Sequence, residues 1–278
     1  MQEKEEERNN QTSMRMLRKK VKHGGKKHGE KKHGGKKQKN YNIIHFYKCI
    51  CKNYIQAALI FASCYYFTFF KIDIALISII YTSYFIYIFH FMSHIKQIHI
   101  LSSLHLYHHN SNTLFGFFNQ FIFEIVTNLL IPLFVKYIYN LTYINGYVIL
   151  FFYLTYFTVH FINYSILHVN TVHEKHHSYD IDYSNKNYNK TKNFGPDYAD
   201  IFFGTKYKPQ THMEDTSHMN LNICLSFACV FILKYLWDNP ENKDILTLGY
   251  RIFATLSIAI YLLLYLTLPS LINDQGSL

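Results

Sequence analysis

The sequence predicts an all-α protein: a transmembrane bundle of about four to six helical spans with a cytosolic, histidine-rich di-metal site. Three observations carry this expectation. Almost half of the 278 residues are apolar, 24 Phe and 25 Tyr among them, and they gather into runs long enough to cross a bilayer's hydrocarbon core. Short polar turns or two longer basic loops separate the runs. Outside the N-terminal tail, histidine recurs in groups at helical spacing.

Residues 1–42 form the first part of the chain, a basic tail in which HGGKK, HGEKK and HGGKK follow one another and place His23, His28 and His33 five apart. Such a segment buries too little apolar surface to fold alone and is expected to be disordered. Much of the formal charge of +10 sits there. No aromatic residue interleaves its lysines, so it offers bases no stacking platform and no nucleic-acid partner is expected. Residues 1–40 are charged throughout, which argues against a cleavable signal peptide and leaves insertion to the first apolar segment.

Six apolar segments follow, at about 54–70, 74–92, 120–138, 144–165, 220–237 and 249–272. Lys71, Ile72 and Asp73 divide the first two, residues 139–143 the third and fourth, and DNPENKD, Asp238 to Asp244, the last two. The chain thus divides into the tail 1–42, a membrane domain 43–219 that carries the histidine groups, and a C-terminal hairpin 220–278. Basic residues mark the cytosolic side. The tail then lies in the cytosol with the loops 93–119 and 166–219, the second holding Lys175, Lys186, Lys190, Lys192, Lys206 and Lys208. The sequon at Asn140 falls on the far side, too close to the membrane for use. Five cysteines show no disulfide or zinc-ribbon spacing, and Cys64, Cys224 and Cys229, within apolar runs, are expected to be buried packing residues.

This topology sends the remaining histidine groups to one membrane face. His90 and His94 end the second segment, and His105, His108 and His109 follow in the first loop. His160 and His168 bracket the end of the fourth segment, ahead of His173, His176 and His177. Side chains three and four apart share a helix face, so each group projects together. Composition accounts for a single HxxHH among 17 histidines; it does not account for two of them plus HxxxH at one face. Imidazole suits zinc, copper, iron and nickel, and so many ligands suit a pair of metals rather than one four-coordinate zinc. His45 and His99 fit no group and suit surface or interface positions; His212 and His218 suit polar loops.

The ordered set His90-Phe-Met-Ser-His94, His105-Leu-Tyr-His108-His109 and His173-Glu-Lys-His176-His177 resembles the histidine boxes of the fatty acid hydroxylase/sterol desaturase superfamily of integral membrane di-iron enzymes. The step of eleven residues from His94 to His105 is similar too, as is NFGPDYADIFFGT, Asn193 to Thr205, with Asp200 in the acidic position. The resemblance covers about residues 54 to 208 and makes 43–219 a hydroxylase-like catalytic domain. Two features depart from the family pattern. Tyr164 stands where some members have the second histidine of a pair that His160 would open, which leaves His160 or His168 as the middle ligand. Residues 179–192 form a low-complexity insertion beside the third box.

The resemblance implies two iron ions, O2 as co-substrate, a membrane lipid as substrate, and electrons from cytochrome b5 and its NADH-dependent reductase. No cytochrome b5-like domain is expected within the chain, since the tail is too short and polar for one. It also implies an endoplasmic reticulum membrane, and hydroxylation of a fatty acyl chain, sphingolipid or sterol. Alternatives are a sterol desaturase or methyl oxidase of the same superfamily, a metal transporter, and a non-catalytic member. Transport fits poorly with spans that lack ionisable residues at mid-membrane depth. Beside the ligands, Asn193, Asp197 and Asp200 are candidates to orient the imidazoles through their second ring nitrogen. So are Glu174, within the third box, and Glu124, an acid near the start of an apolar run.

Overall fold

The computed structural model describes residues 35–95, 97–111, 113–169, 194–195, 197–206 and 215–275. The expected disorder of the tail over residues 1–34, the third histidine box with the insertion behind it, and His212 lie outside the described residues. All regular structure among the described residues is helical. In chain order the helices are α1 (Gly35–Lys52), α2 (Tyr54–Phe67), α3 (Ile72–Ser93), α4 (His99–Asn110) and α5 (Leu114–Glu124). A π-helical stretch, Ile125–Leu130, joins α5 to α6 (Ile131–Ile138). Then α7 (Gly146–Thr158) runs into a second π-helical stretch, Val159–Ile166. The short α8 (Asp197–Phe203), α9 (Asn220–Asp238) and α10 (Pro240–Gln275) complete the chain. Residues Tyr41–Leu278 pack as one unit.

Five helical stretches are long and apolar enough to cross a membrane: Ile72–Ser93, Leu114–Ile138, Gly146–Ile166, Ser217–Asp238 and Pro240–Leu268. The expected first span, 54–70, is instead the 14-residue helix α2. At about 1.5 Å per residue it falls short of a core of about 30 Å. Its end is set locally. The Thr68 hydroxyl donates to Cys64 O at 3.0 Å, and Phe69 and Phe70 take left-handed φ values of 54° and 63° that turn the chain into α3.

The third span begins at Leu114, six residues before the border read from hydropathy. The side chain of Thr113 caps it, accepting the Gly116 N–H at 3.1 Å. Gly116 lies so close to the preceding turn that a Cβ there would meet Ser111 O at 2.4 Å. That neighbour is backbone and cannot swing aside. Gly116→Ala is therefore expected to destabilise the protein by about 1–3 kcal/mol, as overpacked sites do. A fall in detergent-solubilised melting temperature checks this.

The three short turns meet at one end of the bundle. Asn145 accepts the N–H groups of Tyr147 and Val148 at 2.8 and 3.3 Å, capping α7, while its own amide donates to Phe67 O at 3.0 Å. The Tyr147 hydroxyl donates to Asp238 at the end of α9, at 3.1 Å. Losing the Asn145 cap removes about 1 kcal/mol, and Asn145→Ala also unties the α2 turn from α7. Its melting temperature should fall, by more than that of Asn140→Ala in the same turn.

At the other end, the expected loop 93–119 is largely helix, and α10 holds it. Tyr261, Leu264 and Leu268 of α10 share one buried cluster with Leu101 and Leu104 of α4 and Ile122 and Phe123 of α5. The Tyr261 hydroxyl also donates to Ile100 O. Cys64 is buried as expected, but Cys224 and Cys229 are exposed. The reason is that α9 buries a single stripe, Asn222, Ile223, Ser226 and Val230, and turns its remaining apolar residues outward. Hydropathy cannot tell a lipid-facing position from a packed one.

Candidate metal centre

Two helices build the centre. At the C-terminal end of α3, His90 and His94 lie one turn apart, and the Ser93 hydroxyl closes the helix by donating to His90 O at 2.6 Å. On α4, His105 and His109 are spaced the same way. All four imidazoles are buried, and one donor atom from each lies within 4.8 Å of the others. His105 Nε2 and His94 Nε2 face each other at 3.0 Å.

A chain of hydrogen bonds sets the tautomer of His105. A carboxylate only accepts, so Glu124 Oε1 takes its bond from the Gln120 amide nitrogen, at 2.8 Å. Gln120 Oε1 is thereby turned to His105 Nδ1, 3.0 Å away, and accepts the N–H there. His105 Nε2 then carries a lone pair, aimed at His94 and the interior of the cluster. With the His94 proton on Nδ1, its Nε2 lone pair meets that of His105, and a cation between them satisfies both. Four neutral imidazoles fit a borderline transition ion such as iron, and the residues present match the metal that the motifs imply. Tyr156 extends the network, its hydroxyl 3.3 Å from His90 Nδ1.

Sequence reading did not single out Gln120 or Tyr156. Each precedes a candidate, Glu124 or His160, by four residues and shares its helix face, a signal that was available. Gln120→Leu leaves every ligand in place yet frees His105 to rotate and change tautomer. Metal affinity is expected to drop about 10–100-fold, as for other losses of ligand-orienting groups, and competition with a chelator measures it.

Glu124 is 1 % exposed, at the junction of α5 and the π-helical stretch Ile125–Leu130. Its Oε1 also accepts from His160 Nδ1. His160 lies in the second π-helical stretch, where the Ser165 hydroxyl donates to His160 O at 3.0 Å. The wider π turn re-aims side chains relative to a regular helix, and such turns are frequent at functional sites. His108 is buried beside them, its ring centroid 6.0 Å from both His109 and His160. A small cavity opens between His108, Gln120, Glu124 and His160, walled by Phe117, Phe121, Phe157 and Phe161.

The segment 194–206 closes over the cluster. Asp200, 1 % exposed, binds the N–H groups of Phe194 and Gly195 at 2.9 and 3.0 Å and the Thr205 hydroxyl at 2.7 Å. The helix α8 ends on Gly204, at a φ of 74°. Thr205 N–H returns to Asp200 O at 2.8 Å and Gly204 N–H to Ile201 O at 3.3 Å, the bond pair of a Schellman cap. Thus fastened, Phe194 presses on the rings of His94 and His90, with centroids at 5.2 and 6.1 Å. Asp200 therefore acts on the site through the loop it organises.

No family model matches the chain, and no curated protein or solved structure matches it. The geometry accordingly stands on this chain alone. It brings together His90, His94, His105 and His109, with His108, His160 and Glu124 beside them. It does not bring in His168, which is exposed and left-handed, with a φ of 50°, after the second π-helical stretch has ended at Ile166. The backbone turns outward there, as Leu167 N–H and Val169 N–H bond back to Ile162 O and Asn163 O. Asp197 opens α8. His173, Glu174, His176, His177 and Asn193 lie outside the described residues. His218, expected in a polar loop, instead lies in the 3-10 turn Ser217–Met219, its ring 5.7 Å from that of Tyr164.

Proposed function

We propose that this chain is a membrane-bound di-iron oxygenase that hydroxylates a lipid, drawing electrons from cytochrome b5 and its NADH-dependent reductase in the endoplasmic reticulum. The observation that carries the proposal is the convergence of four buried imidazoles, from α3 and α4, at one end of an apolar bundle. The order of its histidine boxes, which resembles the fatty acid hydroxylase/sterol desaturase superfamily, supports the same reading. Bound iron supplies activation of O2 toward an unactivated C–H bond, a chemistry no side chain provides.

The protein's share is placement and exclusion. His90, His94, His105 and His109 hold the metal with their lone pairs inward, oriented by Gln120 and Tyr156. Phe194 and the aromatic wall of Phe117, Phe121 and Phe157 keep bulk water from the reacting position. An apolar chain reaches the centre from the bilayer between the spans, while its polar head stays at the interface beside the basic loops. The resemblance to that superfamily implies that His173, His176 and His177 add to the ligand set.

Lipid profiling of cells with the chain, without it, and with His94→Ala tests the proposal. The expected result is a hydroxylated lipid that appears only with the unaltered chain. Identical profiles in all three, while the purified protein holds its metal, would sink it.

A further inference from the structure

No part of the metal centre comes from α1, yet the C-terminal half of that helix carries two distinct faces. One packs inward. The Phe46 ring meets that of Phe202 in α8 at 5.9 Å, Cys49 is buried, and Asn53 Oδ1, just past the helix end, accepts the Thr216 N–H at 3.1 Å. On the other face Ile43, Ile44 and Tyr47 are 54, 56 and 69 % exposed, and Cys51, one turn after Tyr47, is exposed as well. Lys48 and Lys52, four and eight residues after Ile44, border this apolar arc and are exposed. Exposed apolar residues gathered in one arc, rather than scattered singly, mark an interaction surface.

Position and charge decide what meets this face. Thr216 directly precedes the apolar stretch Ser217–Asp238, and the Gln56 amide donates to Oδ1 of Asn220, which opens α9, at 2.5 Å. The end of α1 is thereby tied to the level at which that stretch would enter a bilayer. Between Glu30 and Asp73 the sequence holds no acidic residue, and residues 19–39 carry ten lysines against the single acid Glu30. Resting on the membrane-spanning reading above, but not on the metal, we infer that α1 lies in the bilayer surface and binds anionic phospholipid headgroups there. Ile43, Ile44 and Tyr47 enter the boundary between headgroups and acyl chains, while Lys48 and Lys52 stay level with the phosphates. Apolar area and attraction to anionic lipid together set how tightly such a helix is held. The lysines that precede it in sequence add to the attraction, as basic stretches beside membrane helices do at a negatively charged leaflet. Through the Phe46 contact with Phe202, the same anchoring bears on α8, the helix that carries Asp200.

Fluorescence of the full chain in lipid nanodiscs tests this independently of activity. The chain has one tryptophan, Trp237, so Tyr47→Trp combined with Trp237→Phe reports from the exposed face alone. As phosphatidylserine replaces phosphatidylcholine in the discs, emission is expected to shift to the blue and quenching by acrylamide to fall. High salt should reverse both, because it screens exposed charges. Lys52 also feels the charge of Asp215, so Lys48 is the cleaner probe. Lys48→Gln should raise the phosphatidylserine content at the midpoint about fivefold, the worth of one lysine near an anionic surface. Lys243→Gln, an exposed lysine of α10, should leave the midpoint unchanged. Emission that is the same in both lipids overturns the inference and leaves the oxygenase reading standing. A response to soluble polyglutamate but not to phosphatidylserine overturns it in favour of an acidic protein partner. Equal shifts for Lys48→Gln and Lys243→Gln also overturn it, since net charge rather than this face then governs binding. A chain that does not enter nanodiscs defeats the membrane reading and this inference together.

Discussion

His105→Ala is expected to abolish metal binding at the four-histidine position while leaving the bundle folded. His105 holds the middle of the cluster: its Nε2 faces His94 Nε2 at 3.0 Å, and its ring centroid lies 4.8 Å from that of His90 and 4.5 Å from that of His109. Alanine deletes one ligand and, by freeing Gln120, loosens the carboxylate network behind it. Affinity should fall by more than the roughly 100-fold that marks the loss of an orienting group, because a ligand itself is gone. The fold should survive, since Leu101 and Leu104 keep α4 against α10 and the Tyr261 bond to Ile100 O does not involve the imidazole. One orphaned Gln120 oxygen costs about 1–3 kcal/mol. Metal content and elution volume, measured together, check both halves. A His105→Ala chain with unchanged metal content would mean that the cluster is only a packing feature.

Asp200→Ala is expected to have the largest effect of any substitution outside the histidines. The carboxylate satisfies two backbone N–H groups and one hydroxyl, all in a buried setting. Each donor left unsatisfied costs about 1–3 kcal/mol, so the segment 194–206 loses on the order of 3 kcal/mol or more of its local stability. That corresponds to about a 100-fold loss of hydrogen-exchange protection at the Phe194 and Gly195 amides, confined to this segment because the loss is local. Phe194 then leaves His90 and His94, and water enters the cluster. Asp200→Asn should rescue little, because its amide nitrogen offers a donor where the loop already presents donors. Unchanged protection in Asp200→Ala would show that packing of Phe194, rather than the carboxylate, fastens the loop.

The periodicity of the histidines made the site legible before the fold was known. Spacings of three and four on a helix force the rings of His90 with His94, and of His105 with His109, to one side. The apolar runs likewise made the helical bundle legible, because runs of that length serve little else. Other features were not readable in one dimension. The first apolar run seemed a span because Thr68 and the left-handed Phe69 and Phe70 have no hydropathy signature. Cys224 and Cys229 looked like core because lipid and protein interior are equally apolar. His160 and His168 were equivalent as candidates until the π-helical stretch sent one inward and the other out.

What the sequence determined by itself is thus local: that apolar helices joined by short turns build the chain, and which histidines share a face. Those follow from backbone hydrogen bonding and the helical repeat, which act over a few residues. Only the tertiary structure decided that α3 and α4 point their faces at one another, that Gln120 and Glu124 stand behind His105, and that Glu124 meets His160 across 36 positions of chain. Pairings of that kind depend on how helices cross and on where π turns shift their register. They also depend on which buried polar atom lacks another partner, and no spacing rule along the chain encodes these terms.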